Sequence, residues 1–297
     1  MSETAPSCAV VYNPVKISEE FRLLVHDRLP ADWAEPLWLE TTEDDPGRAM
    51  TDRAVVAGVD LVIAAGGDGT VRVVADRLAG TGIPLGVVAA GTGNLLARNL
   101  GLPLDEAEAI RVAFRRETRT IDLIKLDGGD RDGQHFAVMA GIGIDAMIMD
   151  NVDPRLKKTL GPAAYVIAAR KAAEQLPMKV TIEVDGHRPR RRRAALCAIG
   201  NVGQLPGGIT LIPGAKPDDG LLDVYVAAPR RLTHWIKVLA RLITRRPRDD
   251  DTVDQWQARR VEIRTRNPEM LQLDGDVVGP TRLITAEIRP AALTVCV

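Results

Sequence analysis

The sequence predicts an α/β chain in two parts: an N-terminal doubly wound parallel sheet over residues 1–121 and a C-terminal, mainly antiparallel β-sandwich over residues 122–297. Three observations predict it. Up to about residue 121, short apolar runs alternate with segments of helical spacing, as in a parallel sheet with helices on its faces. Beyond that point, strand-like runs follow one another through turn dipeptides such as Asp185-Gly186 and Asp274-Gly275, as in antiparallel sheets. Two glycine-rich loops also fall where apolar strands end, which is where open α/β sheets bind ligands.

Each element follows from local pattern. Residues 8–12, Cys-Ala-Val-Val-Tyr, are an apolar run closed by Asn13-Pro14, a buried strand and its turn. Phe21, Leu24, Val25 and Leu29 recur at helical spacing, and Leu37–Leu39 is a short strand ending at Thr41-Thr42. A helix is expected through residues 48–56. Residues 60–65 form a second strand, stopped by Gly66-Gly67-Asp68-Gly69-Thr70, and a helix follows over 71–78. A strand at 84–88, the loop Gly91-Thr92-Gly93-Asn94 and another helix complete the first part. In the second part, strands are expected at 122–126, 136–141, 179–184, 194–199, 222–227, 260–264, 270–273 and 293–297, with helices around 155–175 and 231–246.

Composition sets the bounds. The 297 residues are 45% hydrophobic and 27% charged, ordinary for a chain with a real core, and length alone favours two domains. Aromatics are only 3%, so aliphatic side chains must fill that core. The net charge of −1 conceals an asymmetry: residues 1–121 carry 12 Lys+Arg against 18 Asp+Glu, and residues 122–297 carry 27 against 22. A basic rear half suggests that it meets an anionic surface. Cys8, Cys197 and Cys296 are odd in number and widely spaced, which gives no disulfide framework and reads as buried thiols in a reducing cytosol. The N-terminus lacks a signal-peptide core, and no apolar stretch reaches the ~18 residues of a membrane span.

The loop Gly66–Thr70 carries chemistry. Glycines allow positive φ and close approach of backbone to ligand. Exposed N–H groups and the following helix N-terminus favour phosphate oxygens. Thr70 can cap the helix or donate to a phosphate, and Asp68 can face a ribose, a metal ion or the reacting phosphoryl group. A tight turn with no ligand is the plainer reading of one such loop taken alone. The P-loop and G-x-G-x-x-G patterns are absent.

Paired with the second loop, the motif becomes specific. The chain resembles the diacylglycerol kinase catalytic-domain family, which includes bacterial soluble lipid kinases, sphingosine kinases and ceramide kinases. The resemblance rests on Tyr12-Asn13-Pro14, Thr42, Gly66–Thr70, Pro84-Leu85-Gly86, Gly91–Asn94, Ala97-Arg98-Asn99-Leu100, Gly141–Asp145, Asn201, Ala215–Leu222 and Leu273-Asp274-Gly275-Asp276. These run in order through nearly the whole chain. NAD kinases share the first loop and a related fold, but the Gly91–Asn94 loop followed by Ala-Arg-Asn-Leu is not expected in them.

The resemblance implies an NAD kinase-like first domain and an ATP-dependent lipid kinase that uses Mg²⁺. It implies that Asn13, Pro14, Thr42, Gly66, Gly67, Asp68, Gly69, Thr70 and Thr92 hold ATP. It implies Asp276 as the base, Asp274 as metal partner or alternative base, and Asp68 beside them. Asn94 and Asp122 fall on the substrate side. Lys216, Asp219 and Leu221 match a second, structural Mg²⁺ site, with Asp219 ligating through its side chain and the other two through backbone carbonyls. The family's Asp-Gly-Glu reads Asp274-Gly275-Asp276 here, one methylene shorter at the last position. Lys16 stands where small residues are usual and could reach a phosphate as a point charge. Leu95 stands where many diacylglycerol kinases carry Asp. Diacylglycerol is the expected acceptor; a sphingoid base or another lipid, NAD or a soluble alcohol, and non-catalytic lipid binding are the alternatives.

Partners follow from the same residues. In 231–246, Leu232, Trp235, Ile236, Leu239, Leu242 and Ile243 share one helical face while Lys237, Arg241, Arg245 and Arg246 fall elsewhere, which suits either an anionic membrane surface or packing on the sandwich. A cytoplasmic protein peripheral to the inner face of the membrane is expected, with a homodimer as a further possibility. Arg190 to Arg193 read as a solvated hairpin tip. With no aromatic platform among them, nucleic acid is not an expected partner.

Overall fold

The computed structural model describes residues 5–129, 132–143, 177–205, 209–229 and 252–297. The helices expected around 155–175 and 231–246 lie outside the described residues. The first part runs β1 (Cys8–Tyr12), α1 (Phe21–Arg28), β2 (Leu37–Glu40), α2 (Arg48–Ala57), β3 (Leu61–Gly66), α3 (Asp68–Leu78), β4 (Leu85–Ala89), α4 (Leu95–Leu100) and α5 (Glu106–Arg115). Strands β2, β1, β3 and β4 lie side by side, all parallel. Their alternation buries both faces, hence the continuous apolar runs. Val10, Tyr12, Leu61 and Ile63 pack with Phe21, Val25 and Ile110 of α1 and α5. Ala9, Val11, Val62 and Ala64 pack with Ala54, Val71 and Val74 of α2 and α3.

The second part comprises β5 (Thr118–Asp127), β6 (Gln134–Phe136), β7 (Met139–Ile142), β8 (Met178–Val184), β9 (Arg190–Ala194), β10 (Leu196–Gly200), β11 (Gln204–Leu205), β12 (Ile209–Thr210), β13 (Leu222–Ala227), β14 (Val253–Ala258), β15 (Arg260–Leu273) and β16 (Asp276–Cys296). Its pairings are antiparallel except where β16 meets β4. A separate apolar cluster fills it, including Ile142, Ile182, Val224, Val261, Leu271 and Ile284.

β16 joins the two parts. Its first half, to Glu287, pairs with β15, its second half, from Thr285, pairs with β5, and Val295 aligns in parallel with Leu85 of β4. One sheet path therefore runs from β14 to β2.

Five expectations change in detail. The strand expected at 293–297 is only the end of the 21-residue β16. The strand expected at 136–141 is split, because the side-chain amide of Asn201 donates to the Ala137 carbonyl (3.2 Å) and its backbone N–H to the Val138 carbonyl (2.9 Å). The strands expected at 260–264 and 270–273 are one, β15, with a register shift between Arg264 and Glu269. The helix expected from residue 71 begins at Asp68. Arg190 to Arg193 are not a hairpin tip: the tip is Asp185-Gly186, both at positive φ, and the arginines form β9. Arg192 pairs with Asp254 at 2.6 Å and Arg190 lies over Trp256, so aliphatic stems can cover the sheet while charged heads find partners.

Candidate active site

Three parallel strands end at one edge. β1 leads into Asn13, β3 into Gly67 and β4 into the loop at Gly91. The chain leaves β1 toward β2 on one side and β3 toward β4 on the other, so β1 and β3 flank the switch point where such sheets open a crevice. There the Asn13 N–H donates to the Ala65 carbonyl at 2.8 Å, and the Asn13 side chain accepts from the Val15 N–H at 3.0 Å. Thr42, exposed beyond β2, accepts from the Asp45 N–H through its hydroxyl (3.1 Å). Thr92 is exposed on the second loop.

The glycines in the two loops are needed for contact rather than for positive φ, contrary to the sequence expectation: Gly66, Gly67, Gly69, Gly91 and Gly93 all avoid the left-handed region. A Cβ on Gly66 would stand 2.8 Å from Thr70 Oγ1, one on Gly91 would stand 2.8 Å from the Gly67 Cα, and one on Gly93 would stand 2.7 Å from Asp68 Oδ2. The two loops thus lie backbone against backbone. Gly67 precedes the first turn of α3, where the N–H groups of residues 68–70 have no partner within the helix.

Two carried-over residues are occupied in holding this shape. Asp68 accepts the N–H of Asn94 (2.9 Å) and of Leu95 (2.6 Å), so its charge sits at the start of α4 and locks one loop to the other. Asn94 adopts the left-handed conformation and accepts the Gly91 N–H at 2.8 Å. Thr70 is buried beneath Gly66.

The hairpin between β15 and β16 closes the site from the sandwich side. Asp274 and Gly275 both have positive φ, as a two-residue turn requires. Asp274 is buried, gives its N–H to the Met139 carbonyl (2.8 Å) and accepts the Met139 N–H (2.7 Å). That carboxylate is held by β7 through one oxygen, Oδ1. Burial pushes it up to about 6, against the pull of the Met139 hydrogen bond and the Arg72 charge, with the Asp68 charge adding to the rise. Asp276 points at α3: its Oδ2 accepts from Arg72 Nη2 at 2.8 Å and lies 3.3 Å from where a Gly69 Cβ would stand. The Asp276 side chain is 52% exposed, Arg72 only 5%. Sequence reasoning missed Arg72; an arginine one helical turn after Asp68, amid apolar neighbours, was the available signal.

Asp122, expected at the substrate head, is instead a buried tie. Its two oxygens accept the N–H groups of Gly220 and Ala291, each at 2.7 Å. The Lys216–Leu221 loop is thereby fixed to β16, near where the Ala292 carbonyl accepts the Gly80 N–H just past α3. Asp276 meets the opposite end of that helix, so the loop and the reacting edge are about 16 Å of helix apart. Among the described residues, no three His, Cys, Asp or Glu side chains gather as metal ligands, so a cation here would need backbone carbonyls. The loop fits one. Asp219 is exposed beside Asp223, whose buried Oδ2 has no hydrogen-bond partner. Burial raises the Asp223 carboxyl, Gln255 pulls it back, and the Asp219 charge raises it further. A hard cation bound by oxygens would relieve both carboxylates.

Comparison with known proteins agrees with this architecture. Residues 8–126 match the family described as diacylglycerol kinase catalytic domain, and residues 138–297 match the YegS C-terminal NAD kinase beta sandwich-like domain. A Pseudomonas fluorescens protein named "Probable lipid kinase YegS-like" is 34% identical over 96% of this chain and 93% of its own. A Mycobacterium tuberculosis protein named "Diacylglycerol kinase" is 31% identical over 84% of this chain and 80% of its own. A crystal structure of a Bacillus anthracis diacylglycerol kinase superposes with a TM-score of 0.71 at 24% identity, covering 100% of this chain and 98% of that one. An Archaeoglobus fulgidus NAD kinase in complex with ATP shares the fold at a TM-score of 0.52 and 15% identity, over 98% of this chain and 93% of that one.

Proposed function

The chain belongs to the family of the diacylglycerol kinase catalytic domain, and on that premise we propose that it transfers the γ-phosphoryl group of ATP to the free hydroxyl of diacylglycerol, giving phosphatidic acid. The observation that carries the reading is the meeting of the two glycine loops and the first turn of α3 with the half-exposed carboxylate of Asp276. The N–H groups at that turn and those of Thr92 and Gly93 in the second loop bind phosphate oxygens, with Asn13, Thr42 and Thr92 around the nucleotide. Asp276 accepts the proton of the lipid hydroxyl as that oxygen bonds to phosphorus and the bond from phosphorus to the departing ADP oxygen breaks. Mg²⁺ supplies charge neutralisation at the phosphates. Asp219 through its side chain, and Lys216 and Leu221 through backbone carbonyls, would hold a second Mg²⁺ that would fix the loop and balance the Asp219 and Asp223 carboxylates.

The acceptor lies in a bilayer, and no helix among the described residues is long and apolar enough to cross one. The excess of Lys and Arg in residues 122–297 supports a reading in which the enzyme meets that substrate at a membrane surface through its basic half. The test is transfer of label from γ-labelled ATP with Mg²⁺ into mixed micelles of diacylglycerol, monoacylglycerol, sphingosine, ceramide or phosphatidylglycerol, with soluble NAD alongside. Label in diacylglycerol alone is the expected result. Label in another lipid would reassign the acceptor, and label only in NAD would overturn the lipid reading.

A further inference from the structure

The Arg72–Asp276 pair joins a buried residue of α3 to the residue read here as the proton acceptor. Arg72 is the one ion-pair partner of Asp276 among the described residues. Its Nε is buried with no hydrogen-bond partner. An unsatisfied buried donor is destabilising, so the guanidinium is placed for what its other end holds and not for its own satisfaction. Its charge and that of Asp68 both act on Asp274, so one cation sits among three carboxylates. The carboxylate of Asp276 lies over Gly69 of α3, in space that a side chain there would take: its Oδ2 stands 3.3 Å from where a Gly69 Cβ would be.

We propose that Arg72 is a positioning residue for phosphoryl transfer and that it is length-matched to Asp276: the guanidinium grips one oxygen of a short carboxylate and so aims the rest of it at the open cleft. This rests on the kinase reading with Asp276 as the base. A glutamate at position 276 would carry its carboxylate about 1.5 Å further, either into the α3 backbone at Gly69 or past Arg72. The chain's departure from Asp-Gly-Glu is then a fitted feature. Restoring the longer acid damages the enzyme while Arg72 is present.

A double-mutant cycle with steady-state kinetics tests this. Arg72→Gln is expected to lower kcat about tenfold or more, the scale of a misplaced reacting group, with KM for ATP within about twofold of the parent. Arg72→Lys, which keeps the charge and loses the fork, recovers part of the loss. Asp276→Glu alone lowers kcat by a similar factor, but costs little further in the Arg72→Gln background, because the pair acts as a unit. Melting temperatures confirm that each variant is folded; if Arg72→Gln fails to fold, Arg72→Lys takes its place in the cycle. Additive losses, an Asp276→Glu enzyme as active as the parent, or an Arg72 effect carried by KM for ATP would each overturn the proposal. Full activity of Asp276→Asn would instead remove the base assignment beneath it, so the two failures are distinguishable.

Discussion

At the scale of single residues, the two acids of the hairpin are separated by environment. Asp276→Asn keeps the shape of the side chain and an acceptor for Arg72 but cannot take a proton, so kcat should fall by at least ~100-fold with the melting temperature little changed. Substantial activity in label transfer would remove Asp276 from the chemistry. Asp274 makes a different prediction. Its folded value is raised to about 6 from an ordinary 3.8, so the fold prefers the neutral acid. That contribution is fully present below the ordinary value and is lost as pH rises through about 6. At 1.36 kcal/mol per pH unit the loss is about 3 kcal/mol. Urea unfolding of the parent should show it between pH 4 and 6, on top of any other titration. Asp274→Asn, which retains an oxygen for the Met139 N–H, should lack that component. Curves of the same shape for both proteins would refute the raised value.

At the scale of elements, α3 is the hub of the site. Asp68, Arg72 and Asp76 follow one another at intervals of four, on one face. They bind in turn the start of α4, the start of β16, and β6, where the N–H of His135 donates to Asp76 at 2.7 Å. Much of this framework was legible: apolar runs fixed the parallel strands, and the glycine loops marked the binding edge. Individual roles were less so. Asp68 and Asp122 are acids whose partners are backbone N–H groups from 26 to 169 residues away, and a sequence does not display such distant donors. Asn201 splits β6 from β7 by equally distant contacts, donating to the carbonyls of Ala137 and Val138. Arg72 was missed because its partner is 204 positions on. The contact between loops gives an element-scale prediction. Gly91→Ala would force a methyl against the Gly67 Cα, so the loops must part. Binding of ATP, followed by calorimetry, should weaken about tenfold or more, since near-fit backbone donors tolerate little displacement. Unchanged affinity would show that the loops need not touch.

At the scale of the whole molecule, three thiols report on whether the two parts unfold together. Cys8 and Cys296 lie in the core beneath α1 and α5, and Cys197 lies in the sandwich core. Burial pushes Cys8 and Cys197 up to about 12 and Cys296 to about 11, so the native protein should resist thiol reagents at neutral pH. Because β16 belongs to both parts, all three should become reactive over the same range of urea, as read by mass spectrometry of alkylated peptides. Earlier labelling of Cys197 would show that the sandwich opens by itself.

The return of β16 to β4 also sets a timetable. The edge of β4 is ready once the first hundred or so residues exist, yet the segment that borders it, around Val295, is made about two hundred residues later. At roughly 5–20 residues per second, a nascent chain carries that bare strand edge for some ten to forty seconds on the ribosome. An unpaired edge is a template for the wrong partner. Slow decoding between β4 and β16 should therefore lower soluble yield far more than the same delay placed before β1.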